Sequence, residues 1–577
     1  MKKFIYFLLI VSVTVSCSDV LNLSPESEVT SVNFFKSESD FETYSNQFYD
    51  FFPREGRGFV DFIWTDDNDS DNQIARGNGN IFALGTNTVN DNPPGYHGGG
   101  WDFENIRTVN YYLDKLEASD LPESAKNRWE AEGRFFRAYL YFDKVQKYGD
   151  VPWFSEALSE TDEAIYKPRD PRAFVIDKII EDLNFAIDYL PQEVGNKENI
   201  DRFVAHAFKA RAMLFEGTFR KYHDLSEPHE DLLGQAVASA EVIMNEGNYA
   251  LHTDGGPDNS FYNYFTLPRP GVSSETILAR HFSTDLGITH WSQRFILLQA
   301  MTGFSKSLAD DFLCTDGLPI SLSPMFDPAT DYDHIEDEMA NRDPRMHQSI
   351  WNKGDLRLAD PDQYFNEDNG RVPPFNQNFP TGYAIKKFSN TSRDLQVPGA
   401  ADDGIHLFRL GEIYLIYAEA KAELGTITQN DLDISINRLR DRVGMPHMVM
   451  GTLQRDPNSD FDGSIAEIPQ VSVLIDEIRR ERRVELAAEG QRREDLMRWK
   501  AGQLLAQKKL GAKFNPEVYP DAVGEPFART NEDGFIEPYQ GLSFSPQFDE
   551  NKNYLYPIPP SEIGLYPDGQ LTQNPGW

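Results

Sequence analysis

Three stretches of the sequence place aromatic rings beside carboxylate, carboxamide and guanidinium groups. A sugar ring offers a C–H face that stacks on aromatic rings and hydroxyls that pair with polar side chains, so such stretches are typical of a carbohydrate site. Two of them supply the side chains that we predict to contact a ligand: Trp64, Asp67, Asp71, Arg76, Tyr96, Tyr262 and Trp291. The third stretch runs from Tyr364 to Phe379 and is rich in asparagine and phenylalanine.

These aromatic residues also have a second interpretation. Aromatic side chains make up 13% of the chain, so most of them must lie in the core. Tyr262 and Tyr264 alternate with other residues as in a half-buried strand. The third stretch can instead face a partner protein, because aromatic side chains anchor interfaces.

Motifs that carry catalysis are missing from the sequence. It contains no HExxH, GxSxG, P-loop or CxxC, and its histidines never fall at zinc-ligand spacing. With 92 acidic residues, carboxylate pairs at glycosidase separation arise by chance, so no acid and base can be nominated. Asp67–Asp71 alternates oxygen ligands as a calcium loop does, but Asn72 and Asn78 stand where an EF-hand has glycine and glutamate. We predict no enzyme activity, no cofactor and no metal. We interpret Asp67–Asp71 as a solvated acidic turn, and a loose calcium contact is the alternative.

The charge and the cysteine count exclude further classes. The net charge of −37 repels a phosphate backbone, so nucleic acid is excluded as a partner. Two cysteines cannot form a disulfide framework. We expect Cys314 to be an inert buried thiol.

The N-terminus has the pattern of an export signal. Lys2 and Lys3 precede an apolar stretch that is too short to span a bilayer. The residues before Cys17 resemble a bacterial lipobox, although Thr14 stands where leucine is usual. We predict a signal peptide over residues 1–16, acylation of Cys17 and a tether over residues 17–30. A secreted protein with a spare thiol is the alternative.

The rest of the chain, residues 31–577, is predicted to be one mainly α-helical domain. Apolar residues recur with helical period in several segments, and alanines alternate with bulky residues as in closely packed helix pairs of the tetratricopeptide type. The predicted helices are Pro122–Tyr148, a segment capped by Asp170-Pro171 and closed by Pro191, Arg202–Tyr222, Asp231–Glu246, Asp403–Leu424, Asp431–Arg442 and Val471–Trp499. These place a helical scaffold at about residues 31–64, 101–247 and 403–500. Loop-rich ligand regions are predicted at about 65–100 and 248–402.

The order of several motifs resembles the SusD/RagB family of outer-membrane lipoproteins. The motifs are LNLSPESEVTSVNFFKSESDFE, GWDFENIRTVNYYLDKL, EAEGRFFRAYLYFDKVQKYGDVPWF, ADDFLCTDGLPI, NRDPRM, TGYAIKKF, IHLFRLGEIYLIYAEAKAELG, INRLRDRVGMP, IRRERRVELAAEGQRREDLMRWK and YLYPIPPSEIGLYPDGQLTQNPGW. The arginine-rich motif between Glu477 and Glu485 has opposite charges at helical spacing, so we interpret it mainly as a salt-bridged scaffold. We interpret Asn341–Arg345 as a capped turn whose arginines bind local carbonyls or carboxylates.

The resemblance implies a function that the residues alone do not give. It implies a lipid-anchored protein on the outer face of the outer membrane, with ligand-binding loops on a helical scaffold. It also implies a SusC-like TonB-dependent transporter as partner and an oligosaccharide as ligand, bound without catalysis. Peptide or other nutrient cargo is the alternative, and a surface glycoside hydrolase is a third hypothesis.

Overall fold

The computed structural model describes residues 34–56, 62–77, 80–91, 100–159, 161–365, 375–567 and 569–577. Within these ranges the α-helices, numbered α1 to α17 in chain order, are Glu38–Ser45, Glu104–Glu117, Glu123–Tyr148, Arg172–Tyr189, Arg202–Tyr222, Glu230–Glu246, Ser260–Phe265, Ser292–Leu298, Lys306–Asp311, Ile335–Met339, Pro344–Ser349, Leu410–Glu423, Gln429–Asp433, Ile436–Val443, Val473–Glu485, Arg492–Arg498 and Pro560–Ile563. The strands β1 to β6 are Gln73–Ala75, Thr276–Arg280, Thr302–Phe304, Leu356–Leu358, Gln363–Tyr364 and Ile405–Arg409. The protein is therefore mainly α-helical, as predicted.

Helices α2 to α6 form the scaffold, and each packs against the next. This arrangement is consistent with the predicted tetratricopeptide-like pairing. Gly133 in α3 allows one close approach, because a Cβ there would lie 2.7 Å from Leu113 Cδ2 of α2. Helix α4 buries Ile176, Ile179 and Leu183, which are among the residues whose spacing predicts this helix. The resulting core holds α2 to α6 together with α12.

Several predicted helix boundaries are wrong for local reasons. The N-cap residue of α4 is Pro171, whose side chain makes no capping hydrogen bond. The backbone N–H of Arg172 donates instead to Asp150 Oδ1, at 2.7 Å. The segment predicted as one helix over Asp403–Leu424 begins as strand β6, which pairs with β2. The segment Asp431–Arg442 forms two helices, α13 and α14. Tyr262 and Tyr264 lie in helix α7 rather than in a strand.

The helix predicted over Val471–Trp499 is interrupted between α15 and α16. Ala488 and Gly490 have positive φ values of 62° and 71°, which a continuous helix does not allow. A Cβ on Gly490 would lie 2.8 Å from Asp66 Cβ, so the break brings this turn against the loop at residue 66. The interruption therefore joins the C-terminal part of the chain to the first loop region.

A second core lies beneath the loop-rich segments. It includes Trp64, Phe304, Trp351 and Tyr383. Strands β1 and β3 pair antiparallel, with Gln73 opposite Phe304 and Ala75 opposite Thr302. The two loop regions identified in the sequence thus pack on each other around shared apolar side chains. No helix in the described part of the chain is long and apolar enough to cross a membrane.

Helix α15 carries buried arginines that pair mostly with other elements. Arg480 contacts Asp311 Oδ1 at 2.7 Å and Asp456 Oδ2 at 2.6 Å, and Arg482 contacts Asp495 Oδ2 at 2.8 Å. The expected scaffold role is confirmed, but its ion pairs cross between elements more often than they run along the helix. Removing one partner from such a buried pair leaves an uncompensated charge, which is costly.

The Asn341–Arg345 motif also has the expected form. Arg342 donates to the carbonyl oxygens of Phe312 and Ala309 at 2.6 and 2.7 Å. Arg345 is 1% exposed and contacts Asp343 Oδ2 at 2.6 Å, together with carboxylates of α15. Cys314 is buried, as predicted.

Candidate ligand-binding site

Three loops meet at Arg76, just after strand β1. Arg76 N donates to Met301 O at 2.7 Å, and Met301 N donates to Asn378 O at 2.7 Å. The guanidinium donates from Nη1 to Asn378 Oδ1 at 3.1 Å and from Nη2 to Gln377 Oε1 at 3.2 Å. The pairing of β1 with β3 therefore brings the predicted ligand residue Arg76 to the third aromatic and amide stretch.

The side chains of this junction suit a polar ligand that both donates and accepts hydrogen bonds. Arg76 is exposed, and its guanidinium donates to neutral amide oxygens, which do not cancel its charge. A guanidinium donates several hydrogen bonds in one plane, and a carboxamide both donates and accepts. Arg76, Gln377 and Asn378 thus present fixed donors and acceptors at the surface.

A surface groove of about 580 Å³ lies beside these side chains. Its other wall is formed by Glu525, Pro526 and Phe527. Phe527 is held by Phe375, whose ring centroid lies 5.5 Å away in an edge-to-face arrangement. The groove combines carboxamides, a carboxylate and an aromatic ring, which are the groups that hydroxyls and C–H faces of a sugar require.

The place of Glu525–Phe527 beside the groove could not be predicted from the sequence alone. The three aromatic stretches end at Phe379, and the segment after Trp499 shows no helical period. The useful signal was a proline and an aromatic residue beside a carboxylate in a non-helical segment. That pattern is common, so it gains meaning only when the fold places it beside Gln377.

The prediction that Trp64 contacts a ligand is wrong. Trp64 is 1% exposed, and its ring stacks on Phe62 with centroids 5.4 Å apart. Its Nε1 donates to Ser292 Oγ at 2.9 Å. The polar residues beside Trp64 in the sequence suggested a surface position, but its ring packs into the second core.

Asp67 and Asp71 are also buried, at 1% and 5% exposed. Asp67 Oδ2 accepts from Asn72 Nδ2 at 2.9 Å and from Ala488 N at 2.8 Å. Asp71 accepts from Arg492 Nε at 2.7 Å and from Arg483 Nη2 at 3.0 Å. Both carboxylates are buried and accept hydrogen bonds inside the molecule, so the prediction that they contact a ligand and the interpretation as a solvated turn are wrong.

The remaining predicted residues lie at different places. Tyr262 is half-buried and donates to Ser389 O at 2.5 Å, so its hydroxyl is already engaged. Trp291 is half-buried beside Phe295 at the start of α8, away from the groove-lining side chains. Tyr96 and Cys17 lie outside the described residues. Of the six predicted contacts that the structure describes, only Arg76 is hydrogen-bonded to side chains that line the groove.

Two carboxyl groups that line the same cavity as Arg76 have raised pKa values. Burial raises the pKa of Asp69 to about 6, although Arg493 and Lys147 oppose the shift. Burial also raises the pKa of Glu494 to about 7. Both pKa values reflect desolvation of the charged form. In the described ranges, no group of three or more histidine, cysteine, aspartate or glutamate side chains is arranged to hold a metal ion.

Comparisons with known proteins agree with this fold. A family model described as "SusD family" matches residues 275–577, and one described as "Starch-binding associating with outer membrane" matches residues 19–214. SusD-like protein P2 from Formosa agariphila is 23% identical over 100% of both chains. SusD-like protein P38 from the same organism is 23% identical over 86% of this chain and 92% of its own.

Solved structures share the architecture over nearly the whole chain. A SusD-like carbohydrate-binding protein from Bacteroides fragilis is 21% identical, with a TM-score of 0.70 over 92% of this chain and 99% of its own. A laminarin-binding SusD-like protein is also 21% identical, with a TM-score of 0.58 over 94% of this chain and 100% of its own. Because the first family model alone covers more than half of the sequence, the chain belongs to the SusD family, whose members are carbohydrate-binding proteins and not enzymes.

Proposed function

We propose that this protein captures oligosaccharides at the cell surface and delivers them to a SusC-like TonB-dependent transporter of the outer membrane, without cleaving them. Membership of the SusD family supports glycan binding. The description of the second matching model supports association with the outer membrane. Release to a transporter requires reversible binding, and hydrogen bonds at an exposed surface exchange readily with water.

The observation that carries the proposal is the junction at Arg76. An exposed guanidinium is fixed by Gln377 and Asn378 beside the groove that ends at Phe527. Because the donors are preorganised, a ligand does not have to order them on binding, which improves affinity. The ligand contacts are therefore assigned to Arg76, Gln377, Asn378 and Phe527.

Attachment to the membrane is proposed to occur through Cys17. Several acyl chains on this residue would anchor the protein stably, whereas one chain binds only marginally. Replacing Cys17 with alanine should move the protein from the membrane fraction to the soluble fraction while its fold is retained. Unchanged membrane association of that variant would contradict lipid anchoring.

Calorimetric titration of the mature chain, Ser18–Trp577, against plant, host and microbial oligosaccharides tests the binding function. We expect saturable heat without new reducing ends. Arg76→Ala removes a charge-assisted contact and should weaken affinity by about tenfold or more. Arg438→Ala is the matched control, because Arg438 is exposed on α14 and does not border the groove.

Peptide cargo is the second candidate, because amides that pair with sugar hydroxyls also pair with a peptide backbone. The groove presents carboxamides from Asn376, Gln377 and Asn378 and a ring from Phe527 alone. If peptides bind saturably and none of the oligosaccharides gives a binding signal, the result would favour peptide cargo. New reducing ends would instead contradict the non-catalytic role.

A further inference from the structure

A cavity of about 800 Å³ lies between the scaffold and the turn that joins α15 to α16. We call it the interlayer cleft. One wall carries Gln146 and Lys147 of α3, and the other carries Arg482, Gln491 and Glu494. Its volume is within the range of about 300–1,000 Å³ that is typical of small-molecule sites.

Several polar atoms that line the cleft have no hydrogen-bond partner among the described residues. Arg482 is 3% exposed, and in the described part of the chain its Nη1 has no acceptor. Glu494 Oε2 is buried and has no donor there either. Buried polar atoms are nearly always paired, so these two atoms point to a ligand. The carboxamides of Gln146 and Gln491 are half-buried and make no hydrogen bond with any residue that the structure describes, so they are available to the same ligand.

The charges of the cleft indicate a ligand without net charge. Lys147 is paired with Asp143 at 2.7 Å, and Arg482 is paired with Asp495 at 2.8 Å. A ligand of either sign would therefore meet a like charge as well as an opposite one, at a cost in desolvation. Hydroxyl groups can satisfy a carboxamide, a guanidinium and a carboxyl alike, because each hydroxyl both donates and accepts.

Aromatic rings complete the lining. Tyr139 of α3 and Tyr556 both border the cleft. Tyr556 is held in place by the guanidinium of Arg493, which lies 5.3 Å from the ring centroid. Rings of this kind offer apolar surface to the C–H face of a sugar.

We propose that the interlayer cleft is a second binding site, which takes a neutral mono- or disaccharide through Gln146, Gln491, Arg482 and Glu494. It goes beyond the proposed capture at the surface, because none of these side chains lines the groove beside Phe527. Arg76 borders one end of the cleft, so the two sites adjoin and must be tested separately.

The test uses saturation-transfer NMR and calorimetry on the mature chain, with D-glucose, D-galactose, D-mannose and their disaccharides as probes. We expect at least one probe to bind saturably. The double variant Gln146→Ala and Gln491→Ala should weaken that binding by about tenfold or more, because two hydrogen-bonding groups are removed. Gln192→Ala is the matched control, since Gln192 is exposed and borders neither site. Gln146→Trp should also weaken binding, because its ring takes up space in the part of the cleft that Gln146 lines.

Two results would overturn the proposal. One is the failure of every probe to bind the wild-type protein. The other is equal affinity of the double variant and the Gln192 control, with unchanged melting temperatures. Phe527→Ala distinguishes the two sites, because Phe527 lines the groove and not the cleft: this variant should weaken oligosaccharide capture and leave the binding of the small probes unchanged.

Discussion

Replacing Asp71 with asparagine tests whether this residue stabilises the fold or contacts a ligand. Asp71 receives hydrogen bonds from Arg492 Nε at 2.7 Å, from Arg492 Nη2 at 2.9 Å and from Arg483 Nη2 at 3.0 Å. It is 5% exposed. Asparagine keeps the shape of the side chain but removes the charge that both guanidinium groups face.

The expected loss follows from what remains after the substitution. Breaking a buried ion pair typically costs about 3–5 kcal/mol. Arg483 keeps Asp311, whose Oδ2 lies 2.6 Å from Nη1, so the lower part of that range applies. For a chain of 577 residues, an unfolding entropy of about 2 cal/mol/K per residue converts about 3 kcal/mol into a fall of about 2–3 °C in Tm.

The pH dependence gives a second expectation for Asp71. Burial alone would raise the pKa of Asp71, but Arg483 and Arg492 together hold this pKa below its usual range. A lowered pKa stabilises the fold above the unfolded value of about 4 and loses that contribution only as pH falls through the folded value. The difference between wild type and variant should therefore be constant from about pH 5 to pH 8.

Differential scanning calorimetry and ligand titration measure both properties. Asp120→Asn is the control, because Asp120 is exposed on the surface of the scaffold. We expect lower thermal stability of Asp71→Asn with unchanged ligand affinity. An unchanged melting temperature together with lost binding would refute the structural role and restore Asp71 as a ligand contact.

Three further substitutions test other parts of the structure. Trp64→Phe should lower the free energy of unfolding by about 1 kcal/mol, measured by urea denaturation, because the bond to Ser292 is lost, and should leave ligand affinity unchanged. The pKa of Glu494 is raised to about 7, so the stability of the wild-type protein should decline as pH rises from about 4 to 7. Glu494→Gln removes this titration, so the Tm of the variant should fall less than that of the wild type between pH 5 and pH 8. Gly490→Ala should destabilise the protein by at least about 1–2 kcal/mol in the same urea assay, because φ is +71° and the new Cβ would lie 2.8 Å from that of Asp66.

Helices with a long apolar period could be predicted from the sequence. Arg202–Tyr222 has the predicted bounds, and the predicted helix ending at Tyr148 begins one residue after Pro122. These helices follow from residues close in sequence. The break at Ala488 could not be predicted, because it depends on Asp67, whose carboxylate accepts a hydrogen bond from Ala488 N, and on the approach of Gly490 to residue 66.

The candidate site could be predicted only in part. Arg76 and the third aromatic stretch could each be identified from the sequence. Their proximity could not, because it depends on the pairing of Ala75 in β1 with Thr302 in β3. The burial of Trp64 illustrates the opposite limit. A tryptophan beside acidic residues is ambiguous in the sequence. Its neighbours show that the segment is polar, but they do not show whether the ring points to solvent or to the core. Membership of the family was predicted from the order of motifs and is confirmed.

The contacts of Asp71 have a consequence for the order in which the chain folds. Its partners, Arg483 and Arg492, are separated from it by 412 and 421 positions. During synthesis, the N-terminal loop emerges long before these partners are present. Contacts of such large sequence separation close late and slow folding. The loop that carries Arg76 is therefore expected to reach its final form only after Arg492 has been synthesised. Chains truncated before Arg483 should lack a formed ligand surface even when their helical scaffold is intact.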